Sequence, residues 1–301
     1  MNDKTKKTII KFNMKKALLL GIAAFAFGGL TSCSNILEDS GVNPAAKVKT
    51  GELGIALEAD ASVSVTTKAG ASDEVTLSDE EKKKFVITGT KAGGSSPIDL
   101  GTFADFANGA VKTVEVGTYS ITAAYGTMTG ELDFDKPTFE GTQNDVVVEA
   151  NKTTENVNIT SSLTNSIISI DNTTFTDLKN SATITDLFAY SGTVEPTDTN
   201  EKYSLISATN TLDSSKKLYV KKGASNVNIV IKGTLKDDPA KSFTNTKNIK
   251  TLIGEGQNIE EAKNYNIKYT LSGDKGSLTL TITVNGTVTN VDLPVTVNPY
   301  E

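Results

Sequence analysis

The chain has no histidine, no arginine and no tryptophan, and a single cysteine among 301 residues. Each absence removes a class of chemistry. Without histidine there is no Ser-His-Asp or Cys-His catalytic arrangement, no HExxH zinc helix and no imidazole proton shuttle. One cysteine forbids an internal disulfide and any thiolate cluster for a metal. All 30 cationic side chains are lysine, so bidentate phosphate clamping and guanine readout by a guanidinium are excluded. Aromatics make up 6% of the chain, which leaves few stacking platforms for sugars or bases. A catalyst assembled from carboxylates, lysine, serine or tyrosine passes this filter; little else does.

What is present is clearest at the N-terminus. Residues 1–32 read as a lipoprotein signal peptide and leave the fold argument. Lys4, Lys6, Lys7, Lys11, Lys15 and Lys16 form a positive region, followed by a 14-residue apolar stretch from Ala17 to Leu30. That stretch is shorter than the roughly 20 residues a transmembrane helix needs. It ends in Leu30-Thr31-Ser32-Cys33, which resembles the bacterial lipobox and implies acylation of Cys33 as the first mature residue. Met14-Lys15-Lys16 starts a signal that is complete as well. Cleavage removes six lysines and Asp3, so 30 − 6 = 24 lysines face 36 − 1 = 35 acids, a net charge of −11 against −6 for the whole chain. So acidic a surface repels nucleic acid and anionic membrane faces. Acyl chains on Cys33 are expected to hold the protein to the outer membrane, since stable anchoring takes two or more of them. Ser34 to Asp39 loosely resembles the acidic signal that sends some lipoproteins of Bacteroidetes to the cell surface.

Residues 33–50 read as a flexible tether. From Gly51 onward apolar residues recur with period two, the mark of half-buried strands. Leu53, Ile55 and Leu57 alternate, as do Tyr119, Ile121, Ala123 and Tyr125, then Val227, Ile229 and Ile231. Ile168, Ile170 and Phe175 are taken to open a further strand series. Leu278 to Val284 and Val291 to Val297 flank Asn285-Gly286, the favoured type I′ hairpin dipeptide, and Pro294 marks the last strand as an edge. Thr supplies about 14% of the residues, suiting outward strand faces. Helix is scarce: Ser78-Asp79-Glu80-Glu81 is a capping box for one short helix, and Asn258 is placed as the cap of another turn. The expected fold is all-β, two tandem antiparallel β-sandwich domains over residues 51–164 and 165–301.

Gly51 to Asp60 with Thr67-Lys68-Ala69, Val114 to Ala123 around a Gly117 hairpin, and Pro137-Thr138-Phe139-Glu140-Gly141 with the following strand occur in order along the chain. Together they resemble a Bacteroidetes lipoprotein domain of unknown function (number 4493). That domain is related to the fimbrillin-like, transthyretin-like sandwiches that build surface pili. The resemblance implies proteolytic processing after Lys68, with Ala69 as the new N-terminus. The strand from residue 51 to 67 would then be replaced by one from another copy or another pilin-like subunit. Fimbrillin cleavage follows arginine, and lysine stands here. Without the resemblance, residues 51–67 are a permanent edge strand and Lys68-Ala69 an ordinary loop.

Among candidate chemical groups, Glu131, Asp133 and Asp135 alternate, which would put three carboxylates on one strand face within glycosidase-like range; a solvated acidic face is the plainer account. Tyr119, Tyr125, Phe134 and Phe139 are candidates for a sugar site, with Tyr119 in phase with the core. Gly89 to Ser96 and Gly273 to Gly276 are turns, since neither matches a phosphate-binding loop. Lys82-Lys83-Lys84 and Lys221-Lys222 are read as solvated. The expected protein is therefore a non-enzymatic surface lipoprotein without cofactor or metal, a fimbrillin-like adhesion or structural module. A glycan-binding lipoprotein of a polysaccharide-uptake system, meeting host or glycan ligands, is the alternative.

Overall fold

The computed structural model describes residues 48–60, 64–65, 75, 77–254, 256–272, 278–284 and 287–293. The expected signal peptide and lipobox, most of the expected tether, Lys68-Ala69, Asn285-Gly286 and Pro294 lie outside the described residues.

The first half contains β1 (Thr50–Asp60), β2 (Ser64–Val65), α1 (Asp79–Lys82), β3 (Val86–Lys91), β4 (Ile98–Thr102), β5 (Lys112–Glu115), β6 (Gly117–Tyr125), β7 (Leu132–Phe134), β8 (Phe139–Val148) and β9 (Thr153–Leu163). Period-two alternation does what it should: in β6, Tyr119, Ile121 and Ala123 are buried while their neighbours are not. Seven strands run in the order β4-β3-β6-β8-β9-β1-β5. β8 meets β9 through only two register pairs, Phe139 with Leu163 and Glu140 with Ser162. At this seam the sheet folds over, and strands from both sides bury Leu53, Ile87, Ile121, Phe139 and Ile159 in one core. The seam needs a residue without a side chain, because a Cβ at Gly141 would collide with the Thr160 carbonyl oxygen. Gly117 is not a hairpin turn as expected. β5 pairs with β1, whereas β6 pairs with β3 and β8, so the glycine is a corner between strands at opposite parts of the sheet.

The second half contains β10 (Asn165–Ile170), α2 (Asn172–Ser181), β11 (Ala182–Ser191), β12 (Tyr203–Ser204), β13 (Leu218–Lys221), β14 (Val227–Leu235), β15 (Ser242–Asn248), α3 (Ile249–Ile253), β16 (Lys263–Ser272), β17 (Leu278–Val284) and β18 (Thr287–Leu293). One sheet runs β18-β17-β16-β10-β13-β7, with β2 against β16, and the other runs β12-β11-β14-β15. Their inner faces share a core that includes Ile168, Leu187, Val220, Ile229, Ile267 and Tyr269. The fold is all-β as expected, mostly antiparallel, with parallel pairings of β1 to β9, β10 to β16 and β2 to β16. Phe175 is not in a strand. It sits in α2, where the Asp171 carboxylate accepts from the Thr174 amide and Phe175 and Leu178 are buried. Capping and a three-residue apolar spacing outweigh the weak helix propensity of the threonines. Asn258 caps no helix; Asn248 caps α3 instead.

The two cores interlock. Leu132 of β7 belongs to the second core, while Ile167 and Tyr219 belong to the first. Asn165, almost fully buried, donates to the Lys136 carbonyl at 2.9 Å and accepts from the Ala262 amide through its own carbonyl at 3.0 Å.

Gly51 opens β1 beneath the turn that joins β8 to β9. A Cβ there would collide with the Glu149 carbonyl oxygen and stand 2.8 Å from Val148 Cγ1. Gly51→Ala is therefore predicted to destabilise the fold by about 1–3 kcal/mol, the cost of overpacking, seen as a lower urea midpoint at unchanged slope. An unchanged midpoint contradicts this packing.

Candidate functional site

The first strand is the structural feature around which the expected functions turn, and its position refines one expectation. β1 is flanked on both sides only over Thr50–Leu53; from Ile55 to Asp60 its ladder partner among the described residues is β9 alone. It lies between β9, with eight register pairs from Glu52–Thr153 to Asp60–Ser162, and β5, with four from Thr50–Glu115 to Leu53–Lys112. Leu53 and Ile55 are buried, and Leu57 packs on the same core. Past residues 61–63, β2 pairs in parallel with Lys263 and Asn264 of β16. Residues 50–65 thus contribute strands to both sheets that flank the join between the halves. Taking this segment away would strip ladder partners from β9 and β5 and leave an apolar slot, a state that an added strand can relieve. Cys33, Leu30, Thr31, Ser32, Lys68 and Ala69 lie outside the described residues.

The three alternating carboxylates are not brought together on one face. β7 comprises only Leu132 to Phe134, so Glu131 and Asp135 flank it. Glu131 accepts from the Ser225 amide (3.0 Å), the Asn226 amide (3.3 Å) and the Ser191 hydroxyl (2.8 Å). Asp133 is buried and accepts from Lys136 Nζ at 3.0 Å and from the Thr129 hydroxyl at 3.3 Å. Asp135, in the left-handed region at φ 54°, accepts from the Lys217 amide at 2.8 Å. Glu131 and Asp135 latch β7 to the chain on either side of β13, Asp133 holds Thr129 and Lys136 beside its own strand, and each carboxylate is engaged in a different place.

The aromatic candidates are mainly packing groups. Tyr119 is buried and its hydroxyl donates to the Glu115 carbonyl at 2.9 Å. Tyr125 stacks on Phe85 with centroids 5.3 Å apart and donates weakly to Glu81 at 3.4 Å. Phe139 lies in the core, and Phe134 meets Tyr203 edge-on at 5.4 Å. Among the lysine runs, Lys82, Lys83 and Lys222 pair with Asp79, Glu80 and Glu261. Residues 92–97 form the turn between β3 and β4, while Gly273 to Gly276 lie outside the described residues. Among the described residues there is no group of three or more potential metal-ligating side chains, and no helix is long and apolar enough to cross a membrane.

One arrangement had no local sequence signal. Phe188, Tyr190 and Val230 form a small apolar cluster separate from the two main cores. Glu195 accepts from Lys202 at 2.9 Å and Lys232 at 2.8 Å, and the Lys202 ammonium sits 4.7 Å from the Phe188 ring centre. The hydrogen bonds from Lys232 and Lys202 hold the Glu195 carboxyl below its usual range. Leu187 to Tyr190 is a continuous buried run, consistent with a strand covered on both faces, but the Glu195 partners lie 7 and 37 residues away.

The family described as Domain of unknown function (DUF4493) matches residues 49–299, and the chain belongs to that family. No curated protein matches it. Among solved structures, a protein of Bacteroides eggerthii described in terms of cell adhesion aligns over 82% of this chain and 98% of its own, at 12% identity and TM-score 0.38. One from Bacteroides fragilis, also described in terms of cell adhesion, covers 79% and 97% at 10% identity and TM-score 0.36. One from Bacteroides thetaiotaomicron, described as an adhesin, covers 82% and 100% at 7% identity and TM-score 0.33. Likeness at this level carries no argument about function.

The Glu195 clasp generates a pH prediction. Its folded pKa lies below the ordinary 4.5, so the ionised form favours the folded state. That stability is fully present above about pH 4.5 and is lost as pH falls through the folded value. Glu195→Gln is predicted to lose stability at neutral pH and to show a shallower fall on acidification, compared by urea midpoints from about pH 6 to about pH 3. Parallel pH profiles for the two proteins contradict the clasp.

Proposed function

We propose that this protein is a surface adhesion or structural module, anchored in the outer membrane by acyl chains on Cys33 and working without catalysis. The observation that carries the reading is β1. The strand nearest the tether lies between β9 and β5 at its start, so the folded part begins where the tether ends and is gripped from its first strand. The mature charge of −11 keeps nucleic acid away, and among the described residues the dispersed carboxylates leave no paired acid and base. In this reading β1 stays in place and Lys68-Ala69 is a connecting loop.

Assembly by strand exchange is a second reading, favoured by the flanking of β1 on both sides. Removal of the segment ending at Lys68 would open a slot that a strand from another copy fits. N-terminal mass spectrometry of protein shaved from cells separates the two. The anchored reading predicts acylated Cys33 as the first residue and loss of membrane attachment in Cys33→Ser. A mature N-terminus at Ala69, with detergent-resistant ladders, contradicts it in favour of exchange.

A further inference from the structure

The register of β1 defines a direction. β1 and β9 run parallel, so the tether enters at the end of the sheet where Glu52 faces Thr153, and both strands finish where Asp60 faces Ser162. One residue beyond β9, β10 begins the second core's sheet, and β2 continues from β1 onto β16 of that same sheet. The second sandwich is therefore joined at the end of β1 opposite the tether. Any pull on the second sandwich draws β9 away from the tether entry, while the tether holds the start of β1.

We infer that β1 is a shear clamp that passes tension from the tether into the fold; this rests on the anchored reading above. In a parallel pair pulled from opposite ends, all ladder bonds are strained together. Pulled from neighbouring ends, they break one after another. Here the tether and the second sandwich load β1 from opposite ends, across eight register positions on β9 and four on β5.

Two details oppose slippage. The pairing steps from Leu53–Thr154 to Ile55–Val157, so β9 carries one extra residue at that point, and such a bulge fixes register. Gly51 occupies a place where a Cβ would collide with the Glu149 carbonyl oxygen. A one-residue slide toward the tether would bring Glu52 into that place and turn Leu53 and Ile55 away from the core. The clamp must break as a unit, and its resistance is kinetic, set by the barrier to that concerted step.

Single-molecule pulling of the mature chain carrying Cys33→Ser tests this. Handles at Lys49→Cys and Ser162→Cys load β1 against β9 in shear. Handles at Lys49→Cys and Lys152→Cys load the same strands at neighbouring ends. At equal loading rate the shear geometry is predicted to rupture at no less than about twice the force of the peeling geometry. Equal forces overturn the clamp. A second set, Lys49→Cys with Thr160→Cys against Lys49→Cys with Glu149→Cys, gives the same contrast if a first-set variant does not fold. The measurement uses unlipidated protein. Equal forces therefore overturn the clamp even where Cys33 is acylated in cells, and an unacylated Cys33 overturns the anchored reading without altering the force contrast.

Discussion

The structure depends on the pairing of β1 with β9 and β5. This pairing supplies the middle of one layer of the first sandwich, places Leu53 and Ile55 in its core, and hands the chain on to β2 beside β16. Backbone groups buried without partners are costly, so β9 and β5 both rely on β1 for part of their ladders. In the proposed anchored reading the same strand is the one nearest the tether, which makes it the link between anchoring and folding.

A second constraint is the interlocking of the two halves. β7 belongs by sequence to the first half but pairs with β13, and the Glu131 and Asp135 side chains close that joint through backbone amides of residues 217, 225 and 226. Hydrogen bonds from amides to charged carboxylates are stronger than neutral ones. Asn165 adds contacts to both sides of the join. Two of the three acidic residues that invite a catalytic interpretation, Glu131 and Asp135, thus serve to fix one half against the other.

Much of the strand content was legible because period-two alternation is local: Tyr119, Ile121 and Ala123 announce their own inward face. The capping box was equally local, and Ser78 and Glu81 bond reciprocally, with the Ser78 amide donating to Glu81 at 2.7 Å. Pairing was not legible, because nothing within Gly51 to Asp60 specifies that β9, about a hundred residues later, will lie alongside in parallel. The place of β1 between β9 and β5 and of Gly117 as a corner follow from such distant partners. α2 was hidden by its threonines, whose weak propensity is overridden by a cap at Asp171 and by burial of Phe175 and Leu178. Glu195 was invisible for the same reason as the pairing, since Lys232 reaches it across 37 residues.

In the anchored reading β1 is a permanent structural member of the folded protein. Native-state hydrogen exchange of the amides from Glu52 to Glu58 tests it most directly. The hydrogen-bonded amides among them are predicted to exchange only through global unfolding, with protection matching that of β9. Fast exchange of β1 amides, while β11 and β14 stay protected, would contradict it.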